Sequence, residues 1–548
     1  MTASPTAFAI LRRAFLEQFV ANESVTSDIQ MRRAIIGVIT FLITPGLFVI
    51  MKVGANPAQM AVLFVSYSMV TTGLLTVFIW DTLVFDKRDS MVLGPLPLRG
   101  TTIVAAKLAA LATFIMGAAL AVNVTSALPF AFVTGGPEGH LLRHLAGHLS
   151  GTIGGAVFVF STLVIVRGLL VFVSPQIATT VGSSLQFAFL SAVLCFMMVP
   201  TAMGESSVPI AWFFGLFEAI RGSRHEGVDV LAQRGLIALA LSVTGAIAVT
   251  FGGYWRQMRA ALAPAARVGA SARLRRRVAR LITGRDQSAR GTSDFILIAL
   301  ARSRPQQVPI AIAASIGVAI ASVAVATRPG GFAELQVPRT VVLWIPMVIG
   351  YWIIVGLRSS FYVPTELAAA WSFRVHSSLP SVSYWSAVRA SMIAFAVPPS
   401  LLTNLLIVLP LLGWRIAAWH ALFVCIAVAM AAQAASITID SVPFTRAYPP
   451  GRTKLKTRWP LYLGGMYAVA YWPVRWELAA LESPIALMKL ALAGIAGIIV
   501  LELVGRRAAL EWQLQPDVEY GDDPEAPTVL NLGQVEPRAL YAAHHPRV

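Results

Sequence analysis

Apolar residues along this chain fall into about twelve blocks, each long enough to cross a lipid bilayer, with short polar stretches between them. The first block is Ala34–Met51 and the last runs from Pro484 to Val504. An α-helix rises ~1.5 Å per residue, so about 20 apolar residues cross the ~30 Å hydrocarbon core. The blocks lie at roughly 34–52, 58–80, 102–128, 146–172, 177–200 and 234–254. A second series lies at 308–327, 338–357, 388–412, 416–438, 459–474 and 484–504. The pattern predicts an all-α polytopic membrane protein of about 12 transmembrane helices, in two parallel six-helix repeats. Ahead of the first series, Phe8–Val20 has apolar residues at helical spacing with Arg12, Arg13 and Glu17 among them, which suits a helix lying in the headgroup layer. Phe295–Arg304 opens the second series in the same way.

Basic residues orient the pattern. The stretch 255–292 carries ten arginines, including Arg273, Arg275, Arg276, Arg277 and Arg280, against the single acid Asp286. Lys and Arg collect in cytoplasmic loops, so this segment is expected in the cytoplasm. Six spans before it place the N-terminus there too. The same count puts Arg446, Arg452, Lys454, Lys456 and Arg458 on the cytoplasmic side, with Arg506 and Arg507. The expected organisation is a first six-span half at 1–254, a basic linker at 255–292, a second half at 293–507 and an acidic tail at 508–548. That tail, with Asp517, Glu519, Asp522, Asp523 and Glu525, reads as a solvated, flexible segment.

Composition agrees. The 548 residues are 57% hydrophobic and 13% charged, about half the charged fraction usual in soluble domains. The net charge of +17 reflects cytoplasmic loops rather than a nucleic-acid footprint. Cys195 and Cys425 lie inside apolar blocks and read as small buried hydrophobes. The first 33 residues hold seven charges and no central apolar stretch, so no cleavable signal peptide is expected.

The two series match in detail. After the second block comes Asp81–Arg99, and after the eighth comes Pro364–Pro380. Both are short, charged and amphipathic, and both contain a Leu-Pro, Leu96-Pro97 and Leu379-Pro380. Lys107 and Arg389 follow at equivalent places. The same sidedness in both halves implies a repeat about an axis along the membrane normal.

The segment Asp86-Lys-Arg-Asp-Ser-Met-Val-Leu-Gly-Pro-Leu-Pro-Leu98 resembles the loop between the second and third spans of type-2 ABC export permeases. In that family this loop forms a short coupling helix docked on an ATPase subunit. Phe8–Val20 resembles the family's opening connecting helix. Pro209–Gly222 resembles its outer re-entrant segment between the fifth and sixth spans. Gly356–Phe361, Trp371–Arg374 and Pro443–Gly451 are similar to a long-chain bacterial branch of such permeases. The resemblance implies a fused pair of halves in a bacterial plasma (inner) membrane, working with a separate nucleotide-binding subunit. It implies ATPase-coupling roles for Met91 and Leu93 on an apolar face with Val92, for Asp86, Lys87, Arg88 and Asp89 at its rim, and for Pro97. In the second half the counterparts are Glu366, Trp371 and Arg374. Pro209, Trp212, Phe213 and Glu218 would form the outer re-entrant segment.

No Gly-x-x-x-x-Gly-Lys-Ser/Thr phosphate loop occurs, so ATP hydrolysis is expected on the partner and not on this chain. No nucleophile elbow or paired-carboxylate pattern suggests an enzyme, and no cofactor is implied. Arg167, Asp81, Lys489 and Glu502 read as anchors near span ends. His140, His144 and His148 recur at i, i+4 and i+8 near Glu138. They present either a helical face able to hold a metal or simply a polar helix end. The leading expectation is the membrane subunit of an ABC exporter moving an amphiphilic substrate outward. The alternatives are a secondary transporter driven by an ion gradient, which needs ionisable groups at mid-membrane, and a non-transport membrane scaffold.

Overall fold

The computed structural model describes residues 5–20, 57–80, 82–85, 87–135, 140–173, 187–192, 209–223, 226–261, 270–326, 338–363, 382–437 and 455–513, with positions 182, 184, 185, 439, 443 and 444. These residues are mostly helical, joined by short turns and bends, with no strand among them. Nine of the described helices are long and apolar enough to cross a membrane. The chain is therefore an all-α polytopic membrane protein. The expected spans at 34–52 and most of 177–200 lie outside the described residues. The block at 459–474 sits in a helical run broken by a π-helical turn.

The first compact unit comprises residues 1–267 and 318–337. It holds α1 (Pro5–Val20), α2 (Pro57–Phe78), α3 (Lys87–Leu93), α4 (Gly100–Gly135), α5 (Leu141–Leu169), α6 (Pro209–Arg221) and α7 (Val228–Ala261). On α1, Leu11 and Phe15 are one turn apart and buried, while Arg13 and Glu17 pair at 2.9 Å on the exposed side. The buried stripe packs on α4. With 36 residues, α4 is ~54 Å long and must project well beyond the hydrocarbon core. Within the unit α2 packs on α4 and α5, α4 on α5, and α5 on α7. Polar contacts among these apolar helices are internal. Asn123 donates to Ser68 Oγ at 2.8 Å, and Ser68 donates to the Thr152 carbonyl at 2.9 Å.

The second unit comprises residues 268–317 and 338–548. It holds α8 (Ala270–Thr283), α9 (Gln287–Arg302), α11 (Arg339–Ser360), α12 (Val382–Thr403), α13 (Trp414–Ile437), α14 (Leu455–Met466), α15 (Trp472–Ala480) and α16 (Pro484–Gln513). The helix α10 (Arg304–Ala326) crosses the division in sequence. A π-helical turn, Asn404–Val408, prolongs α12 to Leu412, and another, Tyr467–Tyr471, joins α14 to α15. Gly413, at φ 83°, makes the left-handed link from this run into α13. Here α11 packs on α12 and α13, α12 on α13, α13 on α16, and α9 on α12.

Two helices identify the lipid-facing surface. Only 11% of the apolar window of α16 and 22% of that of α7 is buried within the protein. Apolar helices with so little protein cover need hydrocarbon around them.

Parts of the basic stretch 255–292 are helical and docked. Asp286 caps α9 by accepting from the Ala289 N–H at 3.0 Å. Arg276 holds Asp294 through two hydrogen bonds of 2.9 Å, and Arg280 adds a third at 2.6 Å. The hydrogen bonds from Arg276, with Arg280 beside it, hold the Asp294 carboxyl below its ordinary value. The Arg275 guanidinium lies 3.8 Å from the centre of the Phe395 ring, and burial lowers its pKa.

Candidate coupling site

A buried polar junction in the first unit lies where α1, α3, α4 and α7 meet. The sequence Asp89-Ser-Met-Val-Leu93 turns once and a half, so Asp89 and Leu93 share a face while Met91 and Val92 occupy the other. Gly94 closes the helix; its N–H donates to the Ser90 carbonyl at 3.1 Å. A Cβ at Gly94 would approach that carbonyl oxygen to 2.6 Å, which explains glycine there.

Lys107 reaches from α4 into this junction, 1% exposed. Its Nζ donates to Asp89 Oδ2 at 2.9 Å and to the Val84 carbonyl at 2.7 Å. It also lies 4.5 Å from the centre of the Phe85 ring and 5.2 Å from that of Phe15. The ammonium therefore has a counter-ion, a carbonyl and two aromatic faces, the surroundings a buried charge requires. Leu11, Phe15, Phe85, Leu93, Ile103, Val104, Tyr254 and Met258 form the apolar shell. Through this shell one lysine ties α3 and the preceding loop to α4.

Two expected roles are revised by this geometry. Asp89 is not at an exposed rim: it is 8% exposed and paired with Lys107. Leu93, also 8% exposed, packs into the protein's own core instead of offering itself to a partner. The apolar surface that remains outside consists of Met91 (54%), Val92 (58%) and Leu96 (45%), with Pro95 and Pro97 exposed beside them. Asp86, the side chains of Lys87 and Arg88, and Glu366, Trp371 and Arg374 lie outside the described residues.

Arg389 on α12 forms an ion pair with Glu502 of α16 and stacks 4.8 Å from the Trp385 ring centre. Glu502 also accepts from Arg506 at 2.9 Å. Glu502 thus links two helices rather than anchoring one span end alone.

The expected outer segment is the helix α6. Phe213 and Phe217 are 0% and 1% exposed, Glu218 is buried and 3.4 Å from Arg221, and Trp212 is half-buried. Pro209 begins the helix. Glycines on α5 allow this burial. A Cβ at Gly147 would meet the Phe217 carbonyl oxygen at 2.9 Å, and one at Gly151 the Phe213 carbonyl oxygen at 2.9 Å. Gly235 of α7 is equally close to the Trp212 carbonyl oxygen. The backbone of α6 is thus held between α5 and α7.

The three histidines separate. His140 is exposed ahead of α5. His144 Nδ1 is 2.8 Å from Thr134 Oγ1, and His148 Nε2 is 3.2 Å from Ser126 Oγ, edge-on to Phe64. Among the described residues no group of three His, Cys, Asp or Glu side chains is placed to hold a metal ion.

Sequence reasoning singled out Lys107 by position but not its partner. The available signal was a lone lysine in an apolar span 18 residues after an aspartate. No family model, curated protein or solved structure matches this chain.

Proposed function

We propose that the chain is the membrane-spanning permease subunit of an ABC exporter, with two fused six-span halves. In this reading α3 is the coupling helix, and a separate nucleotide-binding subunit hydrolyses ATP. The observation that carries the proposal is the construction of α3. Its inner face is fastened to α4 by the Lys107–Asp89 pair, while Met91 and Val92 on its outer face and Leu96 in the turn after it stay uncovered. A helix fastened in this way passes rigid-body motion of a docked partner into the long helix α4 instead of flexing. The uncovered residues supply the apolar centre that a docking surface needs.

The fused-repeat reading is supported by the helix packing within each of the two units, each taken alone. The opening amphipathic helix packs on the third expected span in both, α1 on α4 and α9 on α12. The second packs on the third and fourth, the third on the fourth, and the fourth on the sixth, in both. The substrate would be amphiphilic, moving outward across a bacterial inner membrane, with both termini cytoplasmic and no catalysis on this chain.

The test is site-specific photo-crosslinking from position 92 in native membranes. A crosslink to a protein carrying a phosphate loop supports the reading. Crosslinks only to lipid, while position 91 gives the same result, would remove it.

A further inference from the structure

The described helices of the second unit bury one carboxylate and one imidazole together. His420 of α13 and Glu477 of α15 are both 0% exposed. His420 Nδ1 lies 2.9 Å from Glu477 Oε2 and 3.1 Å from Oε1. The other ring nitrogen, Nε2, has no hydrogen-bond partner among the described residues. One turn earlier on α13, the Ala417 carbonyl accepts from Asn404 Nδ2 at 3.0 Å, and Asn404 Oδ1 is likewise without a partner among the described residues. Asn404 opens one of the two π-helical turns, and the other leads directly into α15. Such widened turns inside α-helices recur at functional sites.

A buried histidine serving only as packing needs no carboxylate. His148, near the start of α5, sits beside a serine hydroxyl. His420, near the start of α13, instead faces an acid across a helix interface. A buried, hydrogen-bonded acid–imidazole pair inside an apolar helix bundle is expensive to maintain and is the usual composition of a proton site.

The proton count of the pair follows from its geometry. With one proton, on Nδ1, the imidazole is neutral, the carboxylate is ionised and the pair carries −1. With two protons the pair is neutral overall, either as imidazolium and carboxylate or as imidazole and carboxylic acid. In both neutral arrangements Nε2 carries a hydrogen. The two states therefore differ by one proton at Nε2 and one unit of buried charge. No cavity is needed, because the ligand is a proton. The distance to the helix start is short: His420 lies six residues, ~9 Å, along α13 from Trp414.

The other charged and titratable groups on the elements packed around α13 are set apart from the pair. Arg415, Arg475, Lys489, Arg507 and Glu511 are exposed, as is Arg339 at the start of α11. Tyr351 donates to the Tyr462 carbonyl at 2.7 Å, and Arg358 to the Tyr462 hydroxyl at 3.2 Å. Tyr467 and Tyr471 pack on one another, Tyr384 lies near the start of α12, and Cys425 is a half-buried free thiol. Arg389, Glu502 and Arg506 form their own cluster, and Arg389 is 15 residues, ~22 Å, along α12 from Asn404.

We infer that His420 and Glu477 form a proton-binding site that takes up and releases one proton, making the α13–α15 contact sensitive to pH. The inference does not rest on the ATPase reading, and its test contains no ATPase.

The experiment is pH-difference infrared spectroscopy on the full chain in lipid nanodiscs, across pH 4 to 9. Wild type, Glu477→Gln, His420→Gln and Glu477→Asp are compared, with helix content and gel filtration as controls of folding. The expected result is one transition in wild type in which imidazole and carboxylate bands change together, and which is absent from both Gln variants, because each leaves only one of the two groups. In Glu477→Asp, which keeps the acid but draws it back by a methylene, the midpoint should move by about half a pH unit or more, at least a threefold change in proton affinity. If the Gln variants do not fold, wild type and Glu477→Asp decide. No transition in wild type, one that survives in a folded Gln variant, or an unmoved midpoint in Glu477→Asp would overturn the inference.

Discussion

Replacing Asp89 by alanine isolates the contact on which the coupling proposal depends. The substitution leaves Lys107 at the junction, 1% exposed, with its ammonium still near the Val84 carbonyl and the rings of Phe85 and Phe15. Removing one member of a buried ion pair costs about 3–5 kcal/mol. The carbonyl and the two rings remain, and cation–π contacts are worth about 0.5–2 kcal/mol, so the lower end, about 3 kcal/mol, is expected. The loss falls on the docking of α3, because Asp89 belongs to that helix. The assay is amide hydrogen exchange on the protein in nanodiscs, read at Met91–Gly94. At 1.36 kcal/mol per decade, about 3 kcal/mol accelerates exchange through local opening by about 150-fold. The double change Asp89→Ala with Lys107→Met removes the stranded charge and should recover most of that factor. Exchange altered by less than about threefold in Asp89→Ala, or no recovery in the double variant, would refute the argument that this pair fastens α3.

Three further outcomes follow from other contacts. Gly151→Leu should lower the thermal unfolding midpoint, at a cost of about 1–3 kcal/mol, because its Cβ meets the Phe213 backbone at 2.9 Å; Gly117→Leu, with nothing within 4 Å, is the neutral control. Asp294→Asn should cost no more than about 1 kcal/mol near neutral pH, since Arg276 and Arg280 are 29% and 50% exposed. The Asp294 carboxyl is held below its ordinary value of 3.8, so its contribution is present above that pH and is lost as pH falls through the lowered folded value. Unfolding curves of the wild type and Asp294→Asn should therefore converge once pH has fallen through that lowered value. A cysteine at Ser271 should be shielded from an impermeant thiol reagent in intact cells, because basic segments resist translocation; labelling from outside would reverse the orientation.

The membrane architecture was legible because apolar blocks of bilayer length are a strong signal, and α2, α4, α5, α7, α11, α12, α13 and α16 each coincide with a block. The amphipathic helix α1 was legible from the spacing of Leu11 and Phe15 around Arg12 and Arg13. The coupling segment was located, but its faces were not. Met91, Val92 and Leu93 are equally apolar in sequence, and only the position of Lys107 decides that Leu93 turns inward. Asp89 looked like a rim charge because its partner lies beyond a turn and a helix start. The His420–Glu477 pair was invisible for the same reason at greater range: 57 residues separate two single polar positions, and no local pattern marks either as a partner of the other.

The central claim is that the uncovered face of α3 receives an ATPase, and the variants Met91→Asp and Val92→Asp address it most directly. Both side chains are more than half exposed, so a charge there leaves the Lys107 junction and the spans in place. Each variant is compared with Leu274→Asp, an equally exposed apolar site on α8, outside the spans. The measurement is the amount of phosphate-loop ATPase retained with the chain on purification from native membranes. The account predicts normal membrane insertion, with retained ATPase reduced at least tenfold in the α3 variants, as a loss of about 1.4 kcal/mol or more at an interface anchor requires. Full retention with both α3 variants, or an equal loss from Leu274→Asp, would contradict it.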